Sequence, residues 1–233
     1  MTALKLVAVS AGLGRPSSTR LLADRLAEAA GRTLRGAEAD GTEFDGAAAD
    51  GTETDGIEVE VRVIELRDLA TAIAHHLVAG FPNPALRDAI DAVTEANGLI
   101  AVTPVFTASY SGLFKSFFDL VDTTALAGTP VLIAATGGTA RHSLVLEHAM
   151  RPLFAYLRAV TVPTAVYAAS EDWGSDGDAA TGSLPGRIDQ AGRELAALMA
   201  GRSVTGGPGD VYENVVPFAQ QLAGVRAGRT GSG

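Results

Sequence analysis

The chain of 233 residues contains no cysteine. Disulfide bonds, thiolate metal sites, cysteine nucleophiles and redox-active dithiols are therefore excluded, and any redox chemistry must depend on a bound cofactor. A protein without disulfides also suits a reducing compartment, so we expect a cytoplasmic location.

Long apolar runs are also missing. The amino-terminal stretch MTALKLVAVSAG holds one short apolar segment, without the basic flank and long apolar region of a signal peptide. No segment approaches the roughly 20 apolar residues that a membrane-spanning helix needs. These features predict a soluble protein without a membrane partner.

Clusters of basic residues are the third absence. The chain has 18 Lys and Arg against 27 Asp and Glu, and its formal net charge is −9. Seven of the acidic residues lie in residues 36–56, which hold no Lys or Arg, so the rest of the chain carries only −2. Nucleic acids and anionic membranes are bound by concentrated positive surfaces, so we expect neither as a partner.

Residues 36–56 also interrupt the otherwise even spread of apolar segments. The segment GAEADGTEFDGAAADGTETDG repeats DGTE at 40–43 and 50–53 and holds one aromatic residue, Phe44. Such a composition buries too little apolar area to offset the entropy of ordering, so we predict a disordered insertion. The alternative is a calcium loop, but the ligand spacing, the terminal Glu and the flanking helices of an EF-hand are missing.

Strand and helix periodicities alternate along the rest of the chain. The predicted strands are 4–10, 59–66, 99–103, 130–135 and 162–168. The predicted helices are 18–34, 66–80, 84–96, 112–121, 141–158 and 184–199. Five strands, each followed by a helix, predict an α/β fold in which helices cover both faces of a parallel sheet.

The predicted elements form one domain over residues 1–203, because a chain of this length can bury one sizeable core. Residues 204–233 are expected to be a carboxyl-terminal extension with a flexible end. Its apolar residues are expected to pack against a partner subunit or against the chain's own core, and they are Val215, Val216, Phe218 and Leu222.

The first predicted strand runs into SAGLGRPSST, a loop that ends where a helix is predicted to begin. Free N–H groups at a helix N-terminus, together with nearby hydroxyls, are suited to bind a phosphate group. The candidate ligands are Ser10, Arg15, Ser17, Ser18 and Thr19. The loop lacks GxGxxG and the Walker GK[ST] spacing, which disfavours a dinucleotide-binding Rossmann domain and a P-loop kinase. The alternative, an ordinary helix N-cap, explains one of the hydroxyls.

The second loop, residues 104–111, follows the third predicted strand. Phe106 and Tyr110 would form a wall for a planar ring, while backbone N–H groups and Thr107 or Ser109 would meet the polar edge of that ring. The alternative is that both aromatic residues belong to the core or to an interface.

The third loop, ATGGTARH, follows the fourth predicted strand. Thr136, Gly137, Gly138 and Thr139 would expose backbone amides where a ligand approaches closely, although a Gly-Gly pair is also common in simple turns. His142 suits a structural hydrogen bond, or one at a cofactor edge, better than general-base catalysis. The adjacent His75 and His76 point in different directions on a helix, so no metal site is expected.

The three loops, in this order, resemble the NADPH-dependent FMN reductase family of flavodoxin-like proteins over about residues 4–200. In TPVFTASYSGLFKSFFDLVD, the matches to the family motif are Pro104, Ser109, Gly112, Lys115 and Asp119. ATGGT also matches, whereas the first loop departs from the usual Gly-Ser-x-Arg form. SAGL, PSSTRLLADRL and ATGGTARHSLVLEHAMRPLF are most similar to actinobacterial members that accompany a luciferase-like monooxygenase.

The resemblance implies a three-layer sandwich with the five-stranded sheet order 2-1-3-4-5. It also implies hydride transfer from NADPH or NADH to FMN, with no side chain acting as an acid or base. The first-loop candidates would bind the FMN phosphate, and the ring-binding candidates are Pro104, Val105, Phe106, Thr107, Ser109, Thr136, Gly137, Gly138, Thr139 and His142.

The resemblance further implies a homodimer or homotetramer and a flavin-dependent monooxygenase as a partner. Lys115 and Asp119, four residues apart on a helix, are expected to form a structural ion pair or a subunit contact. A quinone or azo-dye reductase, a flavodoxin-type electron carrier and a flavin-free interaction module stay open as alternatives.

Overall fold

The computed structural model describes residues 3–36, 58–173 and 183–201. All of them lie in the unit Met1–Ser203. The insertion predicted at 36–56, with its calcium alternative, lies outside the described residues except for Gly36, and so does the extension predicted at 204–233. Both therefore stay predictions, as does the division of the chain at residue 203.

The sheet is parallel except at one short strand. Its strands are β1 Leu4–Ser10, β2 Val59–Glu65, β3 Gly98–Phe106, β4 Ser109–Tyr110, β5 Pro130–Gly137, β6 Val160–Thr161 and β7 Val166–Ala169. The order is β2-β1-β3-β5-β6, β7 also pairs with β5, and β4 pairs antiparallel with β3. The predicted order 2-1-3-4-5 is therefore confirmed, with the fifth strand divided between β6 and β7.

Helices cover both faces of the sheet. They are α1 Ser18–Gly36, α2 Leu66–Ala79, α3 Pro84–Thr94, α4 Gly112–Phe118, α5 Arg151–Tyr156 and α6 Leu184–Ala200. Side chains of α1 and α6 form one core with alternate residues of the central strands, and the other helices form a second core on the opposite face. Burial on both faces explains why β1, β3 and β5 read as continuous apolar runs. No helix among the described residues is long and apolar enough to cross a bilayer.

The predicted helix at 141–158 is wrong as a single element. A 3₁₀ turn, Ala140–His142, is followed by a π-helical turn, Leu146–Met150, and only then by α5. Pro152 lacks an N–H group, and its ring would clash with the carbonyl one turn earlier in a regular α-helix. The backbone widens before this proline, so that the N–H group of Arg151 donates to the carbonyl oxygen of Leu146.

The predicted strand at 162–168 is interrupted for a related reason. Pro163 cannot donate a hydrogen bond to a sheet. The carbonyl oxygens of residues 162 and 163 instead accept hydrogen bonds from the Arg151 guanidinium at 3.2 and 3.3 Å. The Thr164 N–H group donates to a Glu194 carboxylate oxygen at 2.7 Å. Side chains therefore satisfy the backbone where the strand is broken.

Candidate functional site

A cavity of about 380 Å³ lies at the carboxyl ends of β1, β3 and β5. In an open parallel sheet this edge, next to the point where the strand order reverses, is where ligands bind. The lining residues are Leu13, Gly14, Pro16, Ser17, Ser18, Thr19, Pro104, Val105, Phe106, Thr136, Gly137, Gly138, Ser170 and Trp173. The structure thus brings together all three loops that the sequence singles out.

The first loop presents hydroxyls and the N-terminus of α1 to the cavity. Ser17 Oγ accepts a hydrogen bond from the Arg20 N–H group at 3.2 Å, as an N-cap does. The first N–H groups of a helix have no acceptor within the helix, and the helix dipole adds partial positive charge there. Gly12 makes the loop tight, because a Cβ at this position would lie 2.1 Å from Ser17 Oγ.

A buried hydrogen bond joins the first loop to the third. The hydroxyl oxygens of Thr19 and Thr136 are 2.8 Å apart, and both residues are buried. In such a pair one hydroxyl donates to the other, so one O–H group of the two is left to donate elsewhere. The pair therefore connects β5 to the start of α1 and keeps one hydroxyl donor available.

The side chains at this cavity, in the part of the chain that the structure describes, carry no charge. Arg15, a predicted phosphate ligand, lies outside the lining, and its Nη2 is 3.3 Å from an Asp68 carboxylate oxygen. Ser10 also lies outside the lining, and its buried hydroxyl finds no hydrogen-bond partner among the described residues.

The second loop is a tight hairpin rather than an open loop. Strand β3 continues to Phe106, and the chain turns at Thr107 and Ala108, whose φ angles are 49° and 66°. Two consecutive left-handed residues are typical of the turns that join hairpin strands, but such φ angles are unfavourable for a β-branched residue. The hairpin therefore holds its tip in a costly conformation.

Polar contacts at the base of the hairpin hold it in place. Thr103 Oγ1 donates to the Pro104 carbonyl oxygen at 2.9 Å and accepts from the Ser111 N–H group at 3.0 Å. Ser111 in turn caps α4, where its hydroxyl oxygen accepts from the Phe114 N–H group at 3.1 Å. Sequence reasoning missed Thr103 and Ser111, although an N-cap serine before an apolar helix is a readable signal.

The two aromatic residues of the second loop have different environments. Phe106 lines the cavity and is 46% exposed. Tyr110 packs against Phe114 at a ring distance of 5.8 Å and lies outside the cavity lining. Of the two predictions for this pair, the wall of a binding site fits Phe106 and the core alternative fits Tyr110. Thr107 and Ser109 also lie outside the lining.

The two glycines of the third loop face different neighbours. A Cβ at Gly137 would lie 2.1 Å from Tyr167 Oη, whereas a Cβ at Gly138 would have no atom within 4 Å. Tyr167 Oη donates to the Thr139 carbonyl oxygen at 2.8 Å, and burial raises the pKa of this phenol. Gly137 therefore makes room for Tyr167, and Gly138 leaves its backbone open to a ligand. Thr139 and the exposed His142 lie outside the lining.

Ser170 and Trp173 are lining residues that sequence reasoning missed. They lie in a 3₁₀ turn, Ser170–Trp173, directly after β7. The Asp172 carboxylate accepts from the Ala169 N–H group at 2.7 Å and from an Arg187 guanidinium nitrogen at 2.9 Å. Their place after a parallel strand was the available signal, because ligands lie beyond the carboxyl ends of such strands.

Two further predictions concern charged and metal-binding groups. Lys115 and Asp119 form an ion pair on the surface of α4, and this contact raises the pKa of Lys115. Within the described residues, no group of three or more His, Asp or Glu side chains could hold a metal ion.

The lining chemistry suits one kind of ligand. Hydroxyls and helix N–H groups at one end favour a phosphate, and an aromatic side chain with open backbone at the other favours a flat ring with polar edges. The donor set and the space beside Gly138 therefore fit a flavin nucleotide.

Comparisons with known proteins agree with this chemistry. Residues 4–174 match the sequence profile of the NADPH-dependent FMN reductases. The chain is 38% identical over 199 residues to FMN reductase (NADPH) of Pseudomonas aeruginosa, a match that covers 85% of this chain and 94% of the relative. It is 37% identical over 196 residues to the NADH-dependent FMN reductase SfnF of Pseudomonas fluorescens, covering 84% and 91%.

A solved structure is also similar to this chain in fold and in sequence. An oxidoreductase from Corynebacterium diphtheriae superimposes with a TM-score of 0.74 at 41% identity, over 87% of this chain and all of that one. The predicted reductase class and the predicted use of FMN with NADPH or NADH are confirmed. The chain belongs to the NADPH-dependent FMN reductase family.

Proposed function

We propose that this cavity binds FMN for reduction by NADPH or NADH, with the FMN phosphate at the first loop and the ring between the second and third loops. One observation carries the proposal: the N-terminus of α1 and the open backbone at Gly138 border the same cavity, whose described lining residues are uncharged. When bound, FMN supplies a hydride acceptor, and the protein supplies orientation.

Hydrogen-bond donors at the phosphate end support this placement. Ser17 uses its oxygen to cap α1 and keeps its O–H group as a donor. Ser18 is exposed beside it, and the Thr19–Thr136 pair offers one further O–H group. These donors and the α1 dipole offset the negative charge of a phosphate where no cationic side chain lines the described cavity. Ser10 and Arg15 stay predictions as phosphate ligands.

The ring end has the shape that a flat ligand needs. Phe106 and Pro104 give apolar surface, and Gly138 allows a ring edge to approach backbone N–H groups. Amides at that edge stabilise negative charge that develops on a reduced ring. None of the lining side chains within residues 3–36, 58–173 and 183–201 is an acid or a base, in keeping with a hydride transfer that needs neither.

The test compares FMN with riboflavin, which lacks the phosphate. In the variant with Ser17, Ser18 and Thr19 all replaced by Ala, we expect the Kd for FMN to rise about a hundredfold and the Kd for riboflavin to change less than about threefold. Flavin fluorescence titration measures both constants. Equal losses for the two flavins would refute the phosphate placement.

A second measurement addresses the reaction. NADPH and NADH oxidation is followed with FMN, riboflavin, a quinone and an azo dye as acceptors. We expect turnover with FMN, whereas turnover only with the quinone or the dye would favour those alternative reductase activities. Tight FMN binding without any nicotinamide oxidation would favour an electron carrier.

We also propose a cytoplasmic homodimer or homotetramer that supplies reduced FMN to a flavin-dependent monooxygenase. Exposed apolar side chains such as Leu144 and Tyr156, which are 63% and 71% exposed, support self-association. The reductase names of the relatives support the production of reduced flavin. Light scattering tests the assembly, and light emission from a luciferase-type monooxygenase coupled to this enzyme tests the transfer.

A further inference from the structure

A network of charged side chains lies behind the first loop, outside the cavity. Its centre is Glu65, the last residue of β2. One oxygen of the Glu65 carboxylate accepts from Arg20 Nη1 at 2.7 Å, and the other lies 2.5 Å from Arg67 Nη2. The side chains of Glu65 and Arg67 are only 16% and 17% exposed. The carboxylate is therefore a partly buried bridge between two guanidinium groups.

Arg67 connects this bridge to the first loop. Its Nη1 donates to the Gly14 carbonyl oxygen at 2.6 Å, and Gly14 lines the cavity. The next residue, Arg15, pairs with Asp68, so two successive residues of the loop are attached to the start of α2. Contacts between residues 53 positions apart in the sequence therefore hold the side of the loop that lies away from the cavity.

Arg20 connects the same bridge to the helix that follows the loop. It lies in the first turn of α1, and its Nε donates to an Asp24 carboxylate oxygen at 2.8 Å. Glu65 thus holds both the loop, through Arg67, and the first turn of α1, through Arg20. These are the two parts of the backbone that would supply N–H groups to a phosphate.

From this geometry we infer that Glu65 and Arg67 are positioning residues that hold the first loop in the conformation that receives the FMN phosphate. Neither residue lines the cavity, so each acts through the backbone of Gly14 and α1. The inference rests on the proposed placement of FMN. Without these contacts the loop must be ordered during binding, which weakens the affinity.

Substitutions that remove or keep the charge of these two residues distinguish a positioning role from a purely electrostatic effect on FMN binding. Glu65→Gln removes a negative charge near the phosphate, so electrostatics alone would strengthen FMN binding, whereas loss of positioning weakens it. Arg67→Lys keeps the positive charge, but one ammonium nitrogen takes the place of the two guanidinium nitrogens that separately reach Gly14 and Glu65, so the paired contact is weakened.

The experiment measures the Kd values of FMN and riboflavin for the full chain and its variants by flavin fluorescence. We expect Glu65→Gln and Arg67→Lys each to raise the Kd of FMN about tenfold and to change that of riboflavin less than about twofold. Arg62→Lys and Asp88→Asn are matched controls, because this exposed ion pair also involves β2 but does not contact the first loop. Both controls should bind FMN as the parent chain does.

Other outcomes overturn the inference in distinguishable ways. Tighter FMN binding by Glu65→Gln with no change for Arg67→Lys indicates an electrostatic effect alone. Equal losses for FMN and riboflavin indicate a general structural role. If the parent chain does not prefer FMN to riboflavin, the phosphate placement itself fails. A parent preference that survives in both variants overturns only the positioning role. Arg67→Lys alone decides the matter if Glu65→Gln does not fold.

Discussion

Two clefts of similar volume lie at opposite ends of the sheet. The cavity at the carboxyl ends of the strands measures about 380 Å³, and a second cleft beside the first residues of β1 measures about 330 Å³. The side chains that the structure describes around the first cavity are uncharged. Six of the residues that line the second are charged, namely Lys5, Glu60, Arg62, Asp88, Asp91 and Glu95. Volume therefore does not distinguish the two clefts, and their chemistry does.

Four of the six charged side chains that line the amino-end cleft form ion pairs with one another. Lys5 Nζ is 2.9 Å from a Glu95 carboxylate oxygen, and Arg62 pairs with Asp88. These contacts raise the pKa of Lys5 and lower the pKa of Asp88. Exposed pairs of this kind contribute little to stability.

The carboxyl-end cavity differs because backbone direction leaves its donors free. A helix that follows a parallel strand points its first N–H groups toward this edge, and those groups have no acceptor within the helix. Ser17 and the Thr19–Thr136 pair add hydroxyl donors there. The candidate site is therefore marked by polar groups that keep a donor unused among the described residues.

The largest effect is expected from alanine at the two glycines of the third loop. Gly137→Ala places a methyl group against Tyr167, so we expect a loss of about 2 to 3 kcal/mol in the free energy of unfolding. Gly138→Ala should leave stability unchanged, because its methyl group has open space, but should weaken FMN binding about tenfold by occupying the approach of the ring. Urea unfolding and flavin titration measure the two quantities, and the reverse pattern would contradict the assignment.

A smaller effect is expected at the Thr19–Thr136 hydrogen bond. Thr19→Val leaves the buried Thr136 hydroxyl without its partner, so we expect a loss of about 1 to 2 kcal/mol in stability. Replacing both residues by Val should recover most of this loss, since an apolar pair of the same shape needs no hydrogen bond. The double variant should nevertheless bind FMN more weakly than the parent chain, because it lacks the hydroxyl donor of the pair. Losses that simply add in a double-mutant cycle of urea unfolding would argue against a coupled pair.

The smallest effect is expected in the amino-end cleft. Because Arg62 lowers the pKa of Asp88, the pair contributes fully above the ordinary Asp pKa of 3.8 and loses its contribution as pH falls through the lowered value. The small difference in Tm between the parent chain and Asp88→Asn should therefore vanish in acid. Calorimetry between about pH 2 and 7 measures it, and FMN affinity at neutral pH should not change. Weakened FMN binding would break the contrast between the two clefts.

Sequence reasoning was most successful where the signal is local. The hydroxyls of Ser17, Ser18 and Thr19 were placed at a helix start by cap chemistry, and the structure puts them in the cavity lining. The break of the predicted helix at 141–158 was also locally readable, because Pro152 lies within it. The apolar period of this segment favours one helix, but the proline prevents a regular α-helix across it.

Long-range contacts account for what the sequence pattern did not reveal. The position of Arg15 depends on Asp68, which is 53 residues away along the chain. The turn that brings Ser170 and Trp173 to the cavity depends on Asp172 and on Arg187 of α6. Neither partner can be identified without knowing how the helices pack on the sheet.

The sequence by itself determined the kind of chemistry and the edge of the sheet where it occurs. The lack of cysteine, the alternating apolar segments and the three loops are properties of short stretches, whose local physics is readable in isolation. Tertiary structure decided which polar groups are free. Thr19 and Thr136 meet across 117 residues, and Gly137 differs from Gly138 only because Tyr167 packs against one of them. Such distinctions follow from the packing of distant segments, which no local pattern records.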